Sequence, residues 1–294
     1  MYYRKYKACC LLVIAILAGG GIAKAQYYGS FTRDMLFARH LHDKELYAEA
    51  VYVLNHIPAD SLLQQQKDSL HFWQGWTAYA TKSLKLAANR LLLVSDSVAW
   101  AKKSHFFAAY CLTFERDTME AYRVLQAMQL NDSIEKEMQY FQMAGISLLQ
   151  RNYKQYTALR NKFSFSSYIM EAEEKRMDEY YQKLYQYKKK SPLLAGIYSA
   201  VIPGAGKIYA GKKSQGIGAF FPVLSLAALT WEAYNKGGVK SARFITFGSL
   251  FSLFYAGNIW GSIVAVKVKQ RERNNFYDNK ILFDMHIPLR NLYN

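Results

Sequence analysis

The sequence predicts an all-α protein: an exported helical-hairpin solenoid followed by a short α-helical membrane domain. Three observations predict it. Between residues 26 and 182 Pro58 is the only proline, and apolar residues recur at helical rather than alternating spacing. Between residues 191 and 266 three uncharged stretches follow one another. The formal charge of +16 is lopsided: it sums to zero over residues 26–182 and to +12 over residues 183–294. With 51% hydrophobic residues in 294, the chain is too apolar to be disordered and long enough for one or two domains, and 3 Cys exclude a disulfide scaffold.

Residues 1–25 read as a signal peptide. Arg4, Lys5 and Lys7 precede the apolar run Cys9–Ala18 and Gly19-Gly20-Gly21, and Ala23-Lys24-Ala25 supplies a small-x-small cleavage site. The apolar run is short of the ~20 residues a span needs. Cleavage removes Cys9 and Cys10, so only Cys111 remains, and it reads as a buried thiol on a helix face.

Residues 26–166 form the expected repeat domain. Small residues stand 12 apart in Ala38 and Ala50, Gly75 and Ala87, and Ala109 and Ala121; Ala144 begins a fourth unit whose second slot holds Tyr156. The units recur at 37, 34 and 35 residues. A small residue at each slot lets two antiparallel helices cross closely, where a larger side chain would push the axes apart. Leu54, Leu91 and Leu125 lie four after the second small residue. Over residues 31–163 this pattern resembles the tetratricopeptide repeat, in about four degenerate helix pairs. His71, His105, Asp34 and Tyr140 stand where that family's first-helix Trp is usual. The resemblance implies a scaffold whose concave groove binds a protein partner.

Residues 167–190 read as a charged connecting helix, rich in both signs from Glu171 to Glu179 and ending in tyrosines beside lysines up to Lys190. Residues 191–266 then form the membrane domain, with two or three segments. The uncharged stretches Ser191–Gly206, Ser214–Trp231 and Phe244–Val266 are 16, 18 and 23 residues long, and the last two reach spanning length. From the end of the first toward the second run Pro203, Gly204, Gly206, Tyr209 and Gly211. These residues resemble the Pro-Gly-x-Gly-x-x-Tyr-x-Gly motif that precedes the membrane hairpin in the two-transmembrane-helix domain family. That resemblance implies a membrane hairpin and no particular activity. The glycines permit a tight turn and close helix approach, which suits a homo-oligomer formed through these segments. The phosphate-loop reading of Gly204-Ala205-Gly206-Lys207 fails, because Val201 replaces the first glycine and Ile208 the Ser/Thr.

Two rules conflict over topology. The signal peptide places the repeats outside the cytoplasm. Three crossings then put 9 bases inside against 7 outside, a mild positive-inside bias. Two crossings with a cytoplasmic repeat domain give 13 against 3, at the cost of dismissing the cleavage site. The signal peptide carries more weight, because long domains translocate largely regardless of charge. The basic tail, residues 267–294, is expected either along the membrane or docked on the hairpin.

No sequence motif for catalysis, metal or cofactor binding is present. His40 and His42 are two apart and so do not share a helix face, and neither His-Glu-x-x-His, Cys-x-x-Cys nor Gly-x-Ser-x-Gly occurs. Because the bases flank apolar runs, they point to membrane lipids and away from nucleic acid. The expectation is a non-enzymatic, membrane-anchored scaffold of the bacterial cell envelope, in the inner membrane with its repeats on the periplasmic side. The alternative is an oligomeric component assisting transport or membrane-protein insertion.

Overall fold

The computed structural model describes residues 30–293; the expected signal peptide lies outside them. The described residues are all-helical, without a strand among them. They divide into two compact units that part between Ser104 and His105. The repeat domain expected over 26–166 therefore spans both units, and the tail expected as a separate segment belongs to the second.

The first unit contains α1 (Phe31–Asp43) with α2 (Tyr47–His56), and α3 (Gln64–Ala80) with α4 (Leu84–Leu91). Helix α5 (Ala101–Phe114) runs across the division. In the second unit α6 (Thr118–Ala127) follows, then α7 (Ser133–Leu149) with α8 (Tyr153–Arg160), and α9 (Glu171–Tyr185).

The turns after α1, α3, α5 and α7 are built alike. Glu45, Lys82, Arg116 and Arg151 sit there in the left-handed region, at φ of 61°, 61°, 70° and 59°. The amide of the next residue reaches back to a carbonyl of the preceding helix: Leu46 to Leu41, Ser83 to Ala78, Asp117 to Leu112 and Asn152 to Ser147, at 2.8–2.9 Å. This is a Schellman closure with a side-chain-bearing residue where glycine is usual. The four turns recur at the same 37, 34 and 35 residues as the small-residue pattern. Asp117 and Asn152 then cap the following helix by accepting from the amides of Glu120 and Gln155.

The small residues of the pattern are buried or closely packed. Ala38, Ala50, Ala87, Ala109, Ala121 and Ala144 are buried to within 1% of full burial. Gly75 faces α4, where an added Cβ would come within 2.6 Å of Leu91 Cγ. Tyr156 is likewise fully buried, stacked 4.8 Å from Tyr181 of α9, so the bulky slot of the fourth unit is filled by an aromatic stack.

The rest of the second unit is α10 (Pro192–Val201), α11 (Ala205–Tyr209), α12 (Lys213–Gly237) and α13 (Ala242–Tyr293). Helix α12 and the first half of α13 are long and apolar enough to cross a membrane, and only 17% and 22% of their apolar windows are buried within the protein. A core helix of a soluble domain would be mostly covered; these face outward.

Two expectations change here. Helix α10 has 10 residues and rises about 15 Å, half the hydrocarbon thickness. The chain then turns at Gly204, and α10 lies along α13. Two helices among the described residues are thus candidate spans, and α10 is a shorter apolar helix than the three-crossing reading expects. The tail is also not a segment lying along the membrane or docked on the hairpin. It is the distal half of α13, a 52-residue helix, and it packs against α7 and α9.

Candidate functional site

The glycine motif folds into a short loop beside α13. Gly204, at φ +84°, donates its amide to Asn258 Oδ1 at 3.1 Å. A Cβ there would strike the carbonyl of Gly216 on α12, and one on Gly206 would strike the carbonyl of Ala195 on α10. Gly206 donates its amide to Ser199 Oγ at 2.9 Å. The Ser262 hydroxyl donates to the Asn258 carbonyl at 2.8 Å, so the Ser199 hydroxyl is the donor in its 2.6 Å bond to Ser262 Oγ. Asn258 Nδ2 also donates to the Ser199 carbonyl at 3.3 Å. Ser199, Asn258 and Ser262 are buried, so their polar atoms are satisfied within the protein, as an apolar surround demands. The motif reading missed these three residues; their signal was a small polar side chain inside each apolar run.

Tyr209 holds the edge of the loop. Its hydroxyl accepts from the Ser191 amide at 3.2 Å, its ring packs edge-on to Tyr198 at 5.2 Å, and Lys190 Nζ lies 5.2 Å from its centroid. Gly211 has open space around its missing Cβ, and its φ of +89° is the reason for glycine. Pro203, half-buried, precedes the left-handed Gly204.

The distal half of α13 makes the second constellation. Tyr277, Ile281, Leu282, Met285 and Leu289 are buried along one helical face. Gly145 on α7 opens a notch for Met285; an added Cβ would fall 2.7 Å from Met285 Cγ. Gln142 Nε2 donates to the Met285 carbonyl at 2.7 Å, near the turn that Pro288 loosens by lacking an amide proton. His286 stacks on Tyr110 of α5 at 4.9 Å, and Tyr293 packs 5.8 Å from Phe106.

Ionic contacts fix the register of this helix. Asp278 faces the left-handed turn residues of two hairpins, Arg116 at 3.2 Å and Arg151 at 2.8 Å. Asp284, 2% exposed, is gripped by Arg176 of α9 through three contacts of 3.0–3.1 Å, and Arg176 also binds Glu173 at 2.7 Å. Hydrogen bonds to Asp284 are the main cause that raises the basicity of Arg176. The α13 segment thus lies across α5, α7 and α9.

Nearby, Glu174 is fully buried; burial first, and then the Glu137 carboxylate, push its carboxyl up to about 8. The Phe165 amide donates to its Oε2 at 3.0 Å. Burial pushes the Cys111 thiol up to about 12, which makes it an inert core side chain. Among the described residues, no three His, Cys, Asp or Glu side chains come together to hold a metal ion. The arrangement can bind and hold helices.

Basic residues gather where the distal helix meets the membrane pair. Gln270 Nε2 donates to the Lys190 carbonyl at 2.7 Å and Lys212 pairs with Glu272 at 3.4 Å, so the segments bearing Lys188–Lys190, Lys212 and Lys213 share one end with Lys267, Lys269, Arg271 and Arg273. Compared with known proteins, the chain matches no family model, no curated protein and no solved structure.

Proposed function

We propose that the chain is a non-enzymatic, membrane-anchored scaffold of the cell envelope that presents tetratricopeptide-like helix pairs to a protein partner. The observation that carries this reading is the single helix α13. Its apolar half pairs with α12 and its distal half is buried against α7 and α9, so the second unit is held to the membrane by a continuous helix instead of a flexible tether. Because the distal half occupies one face of the second unit, the partner surface falls to the first. There Leu36, Phe37, Tyr52 and Leu63 are 53–73% exposed.

The reading places the protein in the bacterial inner membrane, with the helix pairs exported by residues 1–25 and the loop Gly238–Ser241 on the cytoplasmic side. Ala23-Lys24-Ala25 supports export. The test is photo-crosslinking in intact cells from positions 36, 37, 52 and 63. Specific protein adducts that disappear with Phe37→Asp support recruitment; lipid adducts alone, or none, contradict it.

A further inference from the structure

We propose that a pocket at the base of the distal helix is a headgroup site for an anionic phospholipid. This rests on reading α12 and the first half of α13 as membrane spans. The pocket holds about 550 Å³ and is lined by Lys190, Lys269 and Arg273, with Glu272 the one acid, and by Tyr187 and Tyr277. It lies wholly within the second unit.

Its height selects the ligand. The apolar run of α13 ends at Val266. Lys269 and Arg273 follow at about 4.5 and 10 Å along the axis. The headgroup layer extends about 5–8 Å beyond the hydrocarbon edge. Lys269 therefore stands at phosphate level, with Arg273 just above it. Gly211 leaves one wall open, since nothing lies within 4 Å of where its Cβ would be.

The charges are preset and incompletely neutralised. Lys190 Nζ donates to the Tyr209 carbonyl at 2.6 Å, which uses one of its three protons. Arg273 donates to the Lys183 carbonyl, and its guanidinium stacks 4.0 Å from the Tyr187 centroid and 5.0 Å from that of Tyr277. That fixes the fork in place while its buried Nε has no acceptor. Glu272 is divided between Lys269 at 3.6 Å and Lys212 at 3.4 Å. Three bases thus line a pocket whose one acid is shared with Lys212 outside it, and a lipid phosphate supplies the missing anion in the layer where they stand.

The test places the full chain in nanodiscs containing spin-labelled phosphatidylglycerol or phosphatidylcholine and measures the motionally restricted fraction of each. Phosphatidylglycerol should be held preferentially. Lys269→Gln should cut that preference about fivefold, and Lys190→Gln with Lys269→Gln should abolish it. Lys269 is largely exposed and its pair with Glu272 is weak, so its replacement leaves the fold intact, as circular dichroism should verify. Lys236→Gln with Lys240→Gln, in the far loop, should change nothing. Equal retention of the two lipids by the intact chain overturns the site, as does full competition by millimolar inorganic phosphate. A chain that never enters the discs overturns the spanning reading, and the site with it.

Discussion

At Glu174 a carboxyl sits wholly buried beside the carboxylate of Glu137, raised from 4.5 to about 8. Below pH 4.5 the folded and unfolded chains both carry its proton, and no stability depends on it. Between 4.5 and 8 the folded chain keeps a proton that the unfolded chain has lost. Stability therefore falls as pH rises, by up to about 1.4 kcal/mol per pH unit, and levels off above the folded value. Glu174→Gln should raise the melting temperature at about pH 8 and flatten the dependence down to about pH 5; an unchanged slope in thermal melts would show the carboxyl to be ionised. The turn residues give a second expectation. Lys82 is exposed and left-handed, so Lys82→Gly should stabilise the first unit by about 0.5–1 kcal/mol in urea denaturation. The small residues of the hairpins were legible in the sequence because close crossing admits few side chains. The left-handed positions were not, since Glu45, Lys82, Arg116 and Arg151 look like ordinary charged surface residues.

Helix α13 joins two environments that composition separates. The bases from Lys267 to Arg273 read as a boundary between membrane and tail, yet charge changes only the solvent a helix prefers. Between Val266 and Ile287 there is neither glycine nor proline, so nothing in the backbone ends the helix. The burying face at Tyr277, Ile281, Met285 and Leu289 was present in the sequence, but its partner surface is made by helices more than a hundred residues earlier, which spacing along the chain does not reveal. Asp284→Asn should loosen this docking by about 3 kcal/mol, because it strips the buried side of the Arg176 pair. Hydrogen exchange over residues 277–290 should speed accordingly while the apolar half stays protected. In the glycine loop, Gly206→Ala forces a Cβ against the Ala195 carbonyl. It should separate α11 from α10, read as increased protease access between residues 190 and 212, whereas Gly211→Ala meets only the strain of its φ.

Across the second unit, the packing of the distal helix on α7 and α9 constrains sidedness. A helix that leaves the membrane and docks on a water-soluble face brings that face to its own side, so an even number of crossings must separate α9 from the distal half of α13. Three crossings reconciled the export signal with a mild positive-inside bias by counting Ser191–Gly206 as a span; the turn at Gly204 and the 10-residue length of α10 argue against that count. On this reading the basic cluster lies on the same side as α7 and α9, where the proposed headgroup phosphates would offset it. Reporter fusions after Lys162, Gly238 and Asn294 test this most directly. Fusions after Lys162 and Asn294 should report the same, periplasmic side, and the fusion after Gly238 the cytoplasm. Opposite sides for Lys162 and Asn294 would contradict the docking of α13.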